Sequence, residues 1–364
     1  MNILWICDID LINKNFHQNS SFEAGYKYQM NLIRSLSDKS NIFIIFNYKK
    51  NTFLNFKSGS QILNQTLGSI LNNQSINFVM TYPLTFNNLI RALILKFKFQ
   101  DLQTLFFIPD IPKFFDTGIS NKPIKFALKY FEDILILKLI NKIDFCVFFA
   151  ESMVTYFKYR KKYVVIEGVQ DLHSVPNYSL FTIEKNPLIF SYAGSLNYNM
   201  GIEQLINAFE SFRHNRFILN IYGNGPLFKE KSQKIYKNVF FKGFHNGQYL
   251  DNLLFQSDIL ILYRNPSLSY TKYSFPSKLY FYLKFGKPIL TSKLKGISNE
   301  YSNLFDFFDF NDNDSLISKI KSYSELNKYN SEVLRSKMAF EYVNNHKNSN
   351  VQTMKIITMI MDKN

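Results

Sequence analysis

Residues 273–289 read YSFPSKLYFYLKFGKPI and hold the densest group of residues suited to chemistry in this chain. The segment follows an apolar run, ILILY at 259–263, and then Arg264. Tyr273-Ser274-Phe275-Pro276-Ser277-Lys278 has the makings of a tight loop that opens a helix. Gly286 should end that helix, and a strand should start after Pro288. A helix start leaves backbone N–H groups without intrahelical partners, and the helix dipole adds positive potential there. A lysine at that point opposes the dipole unless an anion is bound. Lys278, Ser277 and the amides at 275–278 therefore suit a phosphate or diphosphate; the competing reading of Lys278 is a solvated lysine. Arg264, just past the carboxyl end of a buried strand, either binds phosphate or holds the loop in place.

Positioning such a seat calls for strands that end together, and the chain alternates strand and helix throughout. The first half reads as strands at 2–7, 41–46, 77–82, 104–109, 144–149 and 163–168. Helical patterns lie at 24–36, 86–99, 122–141 and 151–159. A polar stretch, 173–186, reads as a linker. The pattern restarts with strands at 188–194, 216–223, 238–243, 258–263 and 288–293, and helices at 201–213 and 246–256. A short acidic and aromatic segment, 306–314, precedes helices at 315–323, 331–345 and 348–361. Such alternation predicts parallel sheets covered on both faces, in two successive α/β domains, 1–172 and 187–345. The last segment, 346–364, carries an apolar stripe at Val351, Met354, Ile357 and Met361.

At 364 residues with 46% hydrophobic content, the chain can bury two cores. The net charge of +15 is spread over both halves and favours anionic partners. No helix-turn-helix, zinc or RNA-recognition signature accompanies it, so nucleic acid is not expected. Cys7 and Cys146 sit in apolar runs and give no disulfide framework. No signal peptide is read at the N-terminus, and no apolar run reaches the length of a membrane span. A cytoplasmic protein is expected, soluble or peripheral at the inner face of the membrane. The basic aromatic segments 91–98 and 158–163, with helix 122–142, read either as a solvated face or as a contact with anionic lipid.

The Phe-Pro-Ser-Lys-Leu stretch with Gly286-Lys287-Pro288 resembles the donor loop of a subgroup of retaining family 4 glycosyltransferases, which have the GT-B fold. Four further pieces are similar, in order: Tyr192-Ala193-Gly194-Ser195-Leu196 with Gly201; Tyr222-Gly223-Asn224-Gly225-Pro226; Val239 to Gly243; and Leu294-Lys295-Gly296-Ile297 with Glu300-Tyr301. The resemblance is strongest over residues 188–310. It implies a GT-B architecture of two Rossmann-like domains with parallel sheets facing across a cleft. The first would take the acceptor and the second the donor, with segment 346–364 crossing back to the first. The implied activity is transfer of a hexose from a nucleoside-diphosphate sugar, UDP-linked, to a glycan or lipid-linked acceptor, with retention, in bacterial capsule or lipopolysaccharide synthesis. Lys278 and Arg264 would stabilise the leaving diphosphate. Donor-binding positions would include Gly25, Ser195, Gly223, Asn224, Gly225, Tyr273 to Lys278 and Phe281.

The chain departs from the family at two positions. Many family members carry a glutamate pair eight residues apart; here those positions are Tyr273, usual for the subgroup, and Phe281, where the subgroup keeps glutamate. Ribose recognition should be weakened, which motivates a second reading as a non-catalytic subunit or scaffold. In the first half, Gly25 matches a loop glycine near the donor diphosphate. Asp110, at a strand's carboxyl end, reads as an acceptor contact or a turn cap, and Glu151, which follows strand 144–149, equally as a cleft residue or a helix-start residue. Asp8-Ile9-Asp10 resembles a metal-binding Asp-x-Asp but stands in the wrong place for one. No metal and no cofactor beyond the donor substrate are expected.

Overall fold

The computed structural model describes residues 1–7, 23–46, 52–55, 61–63, 75–114, 123–171, 176–213 and 215–362. Asp8-Ile9-Asp10 and most of the expected loop before the first helix lie outside the described residues. The described chain clusters into two units. The first holds 1–171, 273–275 and 346–364; the second holds 172–272 and 276–345.

The first unit is built on β1 (Asn2–Cys7), α1 (Glu23–Ser37), β2 (Asn41–Phe46), β3 (Thr52–Asn55), β4 (Gln61–Leu63), β5 (Phe78–Tyr82), α2 (Phe86–Lys98), β6 (Gln103–Ile108), α3 (Pro123–Leu139), β7 (Phe145–Phe148), α4 (Glu151–Phe157) and β8 (Lys162–Val165). Its sheet has the order β4-β3-β2-β1-β5-β6-β7-β8. Six strands are parallel, and β3 and β4 add an antiparallel edge that the sequence pattern did not signal. A strand of three or four residues is too short to show a period of two.

Strand alternation sets the two covered faces. Ile3, Trp5 and Cys7 join the cluster with Leu32, Ile33 and Leu36 of α1. Leu4 and Ile6 join Phe43, Val79, Leu95 and Leu102 on the opposite face. The Trp5 indole N–H donates to Gln29 Oε1 at 3.1 Å, so a buried polar pair fixes α1 against β1.

The second unit comprises β9 (Leu188–Ala193), α5 (Ile202–Glu210), β10 (Phe217–Tyr222), α6 (Pro226–Lys231), β11 (Val239–Gly243), α7 (Gly247–Phe255), β12 (Ile259–Leu262), α8 (Lys278–Leu283), β13 (Ile289–Ser292), β14 (Asp306–Phe308), α9 (Asn313–Ser322) and α10 (Leu326–His346). Its sheet is wholly parallel, in the order β11-β10-β9-β12-β13-β14. Near-continuous apolar strands such as ILIL are what a doubly covered parallel sheet requires. The short helix α6 starts with Pro226 at its first turn, where a missing N–H costs nothing.

The final helix, α11 (Ser349–Met361), packs in the first unit against α1 and β8. Its entry is held by a buried ion pair, Lys347 Nζ to Glu167 Oε1 at 2.9 Å. Asp171 Oδ1 accepts the Ser349 N–H at 2.8 Å, and Asn348 caps the helix by accepting from the Val351 N–H.

Candidate functional site

In the second unit the loops after β9 and β10 cross at the carboxyl ends of the strands, and two glycines make the crossing possible. A Cβ on Gly223 would lie 1.9 Å from the Gly194 carbonyl oxygen. A Cβ on Gly225 would lie 2.6 Å from the Leu196 carbonyl oxygen. Both have φ near +150°, a conformation L side chains rarely adopt. Sheet-type bonds lock the crossing: the Gly194 N–H donates to Tyr222 O at 2.9 Å, and the Gly223 N–H donates to Gly243 O at 2.8 Å. The Leu196 N–H donates to Asn224 O at 3.1 Å, while Asn224 Oδ1 accepts the Gly225 N–H. Ser195 and Asn224 stay exposed at this edge.

Two tyrosines that the sequence reading passed over hold the same strand ends. The Tyr282 hydroxyl, at the centre of α8, accepts the Ala193 N–H at 3.1 Å. The Tyr192 hydroxyl donates to Ser195 O at 3.0 Å. Burial pushes both phenols well above the ordinary tyrosine range. Arg264 lies close enough to Tyr192 to oppose that shift.

Arg264 has two attachments. Its backbone exchanges bonds with Ser292 Oγ, accepting at 2.8 Å and donating at 3.2 Å, which joins the ends of β12 and β13. Its guanidinium sits 4.8 Å from the centre of the Tyr270 ring. Among the described residues no carboxylate lies within ion-pair range of it.

Lys278 is the first residue of α8, preceded by Ser277 in helical geometry. Pro276 has no N–H, so an anion there could draw on the amides of Phe275, Ser277 and Lys278 but not on all four positions from 275 to 278. Gly286, at φ +64°, ends the helical stretch against Pro176 and Asn177. Phe281 is half-buried on α8, between two cations. Lys284 Nζ is 4.2 Å and Lys278 Nζ 5.9 Å from its ring centre. Lys284 also pairs with Asp251 at 2.7 Å. A glutamate-like reach toward a ribose is thus replaced by an aromatic ring packed beside Phe285. Beyond β10 and β11, His245 stacks edge-on with Tyr249 at 4.8 Å between ring centres, with Tyr222 next to it. Only the fold brings residues 222, 245 and 249 together.

The remaining expected residues belong to the first unit. Gly25 lies in the first turn of α1, not in a loop, and its carbonyl accepts from Gln29 Nε2 at 3.4 Å. Asp110 is exposed just after β6 and close enough to Tyr82 to help raise that buried phenol, though burial is the larger cause. Glu151 starts α4 and accepts from the Tyr163 hydroxyl at 3.0 Å. Tyr273 stacks on Phe114 at 5.7 Å and meets Tyr156 edge-on at 5.4 Å. Among the described residues no group of His, Cys, Asp or Glu could hold a metal ion.

Six parallel strands in the sheet of each unit, covered by helices, define the GT-B fold, and solved structures carry the same one. Sucrose-phosphate synthase from Thermosynechococcus elongatus matches with a TM-score of 0.68 at 11% identity, covering 99% of both chains. Anabaena HepE in complex with UDP matches with 0.67 at 13%, covering 100% of both. The lipopolysaccharide outer core galactosyltransferase WaaB matches with 0.63 at 12%, also over 100% of both. Residues 181–337, nearly all of the second unit, match the family model described as Glycosyl transferases group 1. The chain thus has the GT-B fold, and its second unit is similar to the group 1 glycosyl transferases. No curated protein sequence matches the chain.

Proposed function

We propose that the protein transfers a hexose from a UDP-linked sugar to a glycan or lipid-linked acceptor, with retention, in the synthesis of a bacterial surface polysaccharide such as capsule or lipopolysaccharide. The observation that carries this is the conjunction at one end of the second sheet: the glycine crossing at 194–196 and 223–225, Arg264, and Lys278 at the start of α8. Similarity to UDP-bound HepE and to a lipopolysaccharide galactosyltransferase supports the choice of nucleotide and pathway.

In this reading the leaving diphosphate gathers charge as the glycosidic bond breaks. Lys278, Arg264 and the amides of Phe275, Ser277 and Lys278 stabilise it without reorganising. The crossing brings backbone at Ser195, Gly223, Asn224 and Gly225 to the donor. Tyr249 and His245 offer the base a stacking surface. Tyr273 and Ser274 complete the donor loop. Gly25 and Asp110 are the first unit's candidates for donor and acceptor contact, that unit being taken as the acceptor side. Same-face attack by the acceptor needs no carboxylate nucleophile.

Phe281 favours a second reading, a subunit that binds nucleotide or a partner glycosyltransferase without turnover. A screen of purified protein against UDP-, GDP-, ADP- and dTDP-hexoses, following both binding and donor hydrolysis, separates the two. Binding with slow hydrolysis of one UDP-hexose is the expected result. Binding without hydrolysis of any donor selects the non-catalytic reading, and no binding removes both.

A further inference from the structure

We propose that the outer face of α2 and α3 docks the protein on an anionic lipid bilayer surface. Both helices, like α4, connect successive parallel strands in the same direction along the sheet, so right-handed crossovers place them in one layer. They touch: the Phe86 N–H at the start of α2 donates to Glu132 Oε1 of α3 at 2.9 Å. Their inner sides supply Leu89, Ala92 and Ile136 to a common core, joined by Ile140 just past α3.

Their outer sides are apolar and aromatic where solvated helices should be polar. Ile94 and Phe97 of α2 are exposed, as are Leu128, Tyr130 and Phe131 of α3; Phe97 is 88% exposed. These five are most of the exposed large hydrophobic residues among the described residues of the first unit. On α2 the stripe runs Arg91, Ile94, Phe97, Lys98, and on α3 Leu128, Phe131, Lys138, at helical spacing. Single exposed apolar residues mean little, but a clustered patch rimmed by cations marks an interaction surface.

The charge balance selects the occupant. Exposed Arg91, Lys98, Lys138 and Lys142 border the face, and Lys158, Arg160 and Lys161 stand past the end of α4. The acids are largely spent elsewhere. Asp133 is buried and accepts from the Tyr156 hydroxyl. Glu132 holds the α2 backbone, and Asp144 pairs with Lys96. Among the described residues from α2 to α4, Asp101 in the turn after α2, Asp110 after β6 and Glu151 at the start of α4 stay exposed, and Glu151 accepts from the Tyr163 hydroxyl. Aromatic rings between lysines suit the headgroup boundary of a bilayer, with rings in the acyl region and ammonium groups on lipid phosphates. No described helix is long and apolar enough to cross a membrane, so the contact would be peripheral.

The test is sedimentation of the full chain with phosphatidylcholine vesicles, with and without one third phosphatidylglycerol. Binding to the anionic vesicles is expected, about tenfold or more above the neutral ones, and weakened by salt. The pair Lys98→Glu/Lys138→Glu should lower partitioning by about 25-fold, roughly fivefold for each cation lost. The pair Phe97→Ser/Phe131→Ser should lower it by about tenfold. A control pair on the second unit, Ile235→Ser/Leu334→Ser, should change nothing. Unaltered melting temperatures establish that the variants fold. Failure to bind anionic vesicles, equal binding to neutral ones, or equal loss in the control pair would overturn the proposal. So would a solution dimer that Phe97→Ser/Phe131→Ser dissolves in a chain that ignores vesicles, since the face would then join two copies.

Discussion

Replacing Gly223 with alanine should cost the second unit much of its stability. The added methyl would sit 1.9 Å from the Gly194 carbonyl oxygen and 3.1 Å from its carbon. Neither side can retreat, since Gly194 is bonded to Tyr222 and Gly223 to Gly243 through their backbones. An unfavourable φ costs about 1–2 kcal/mol and forced overpacking about 1–3 kcal/mol, so a loss of about 3 kcal/mol is expected. For a unit of this size that lowers the melting temperature by roughly 6–12 °C. Gly247→Ala is the matched control: it has φ +55° but nothing within 4 Å of the added methyl, so only the backbone cost of about 1 kcal/mol applies. Thermal unfolding with and without UDP gives both quantities, and Gly223→Ala should also weaken UDP binding. Equal melting temperatures for the two variants would refute the backbone crossing.

Three other outcomes are expected. Phe281→Glu should keep the fold, because its carboxylate would lie near Lys284 and Lys278, and should tighten UDP binding about tenfold, as a charge-assisted bond to ribose would; unfolding on calorimetry would show instead that the ring is core. Tyr282→Phe leaves the Ala193 N–H without its phenol partner and should cost about 1–3 kcal/mol in chemical denaturation, whereas a neutral result would deny the bond a role. Burial raises the Asp133 carboxyl above its ordinary range despite the Tyr156 hydroxyl and Lys113, so the native state loses stability as pH rises from that range through the raised value. Asp133→Asn should therefore melt higher than wild type at neutral pH, with the gain vanishing as pH falls through that window; a gain independent of pH would assign the effect to packing.

Most of the fold could be read because parallel strands buried on both faces leave long apolar runs. NILWIC, FVMTY and ILIL stand out against polar loops, and the helices between them keep their period. The pieces that escaped are those too short for a period to register: β3, β4, β14 and α6. The helix start at Lys278 and the glycine turns could be read because each depends on local chain geometry, a helix start or a positive-φ turn. Tyr282, Tyr192 and the Tyr222–His245–Tyr249 group could not, since a buried phenol reaching a neighbouring strand's backbone leaves no local pattern. Arg264 stood out only by its place after a strand, and its bonds to Ser292 come from the register of β12 on β13.

The central claim is a diphosphate seat at the start of α8, and comparing ligands that differ only in phosphate tests it most directly. Titration calorimetry of the full chain with uridine, UMP and UDP should show UDP binding tightest. Lys278→Ala should cost UDP about 1.5–3 kcal/mol, the range of a hydrogen bond to a charged group, and leave uridine unchanged. Equal affinities for uridine and UDP in the wild type, or a loss that falls equally on both in Lys278→Ala, would contradict it.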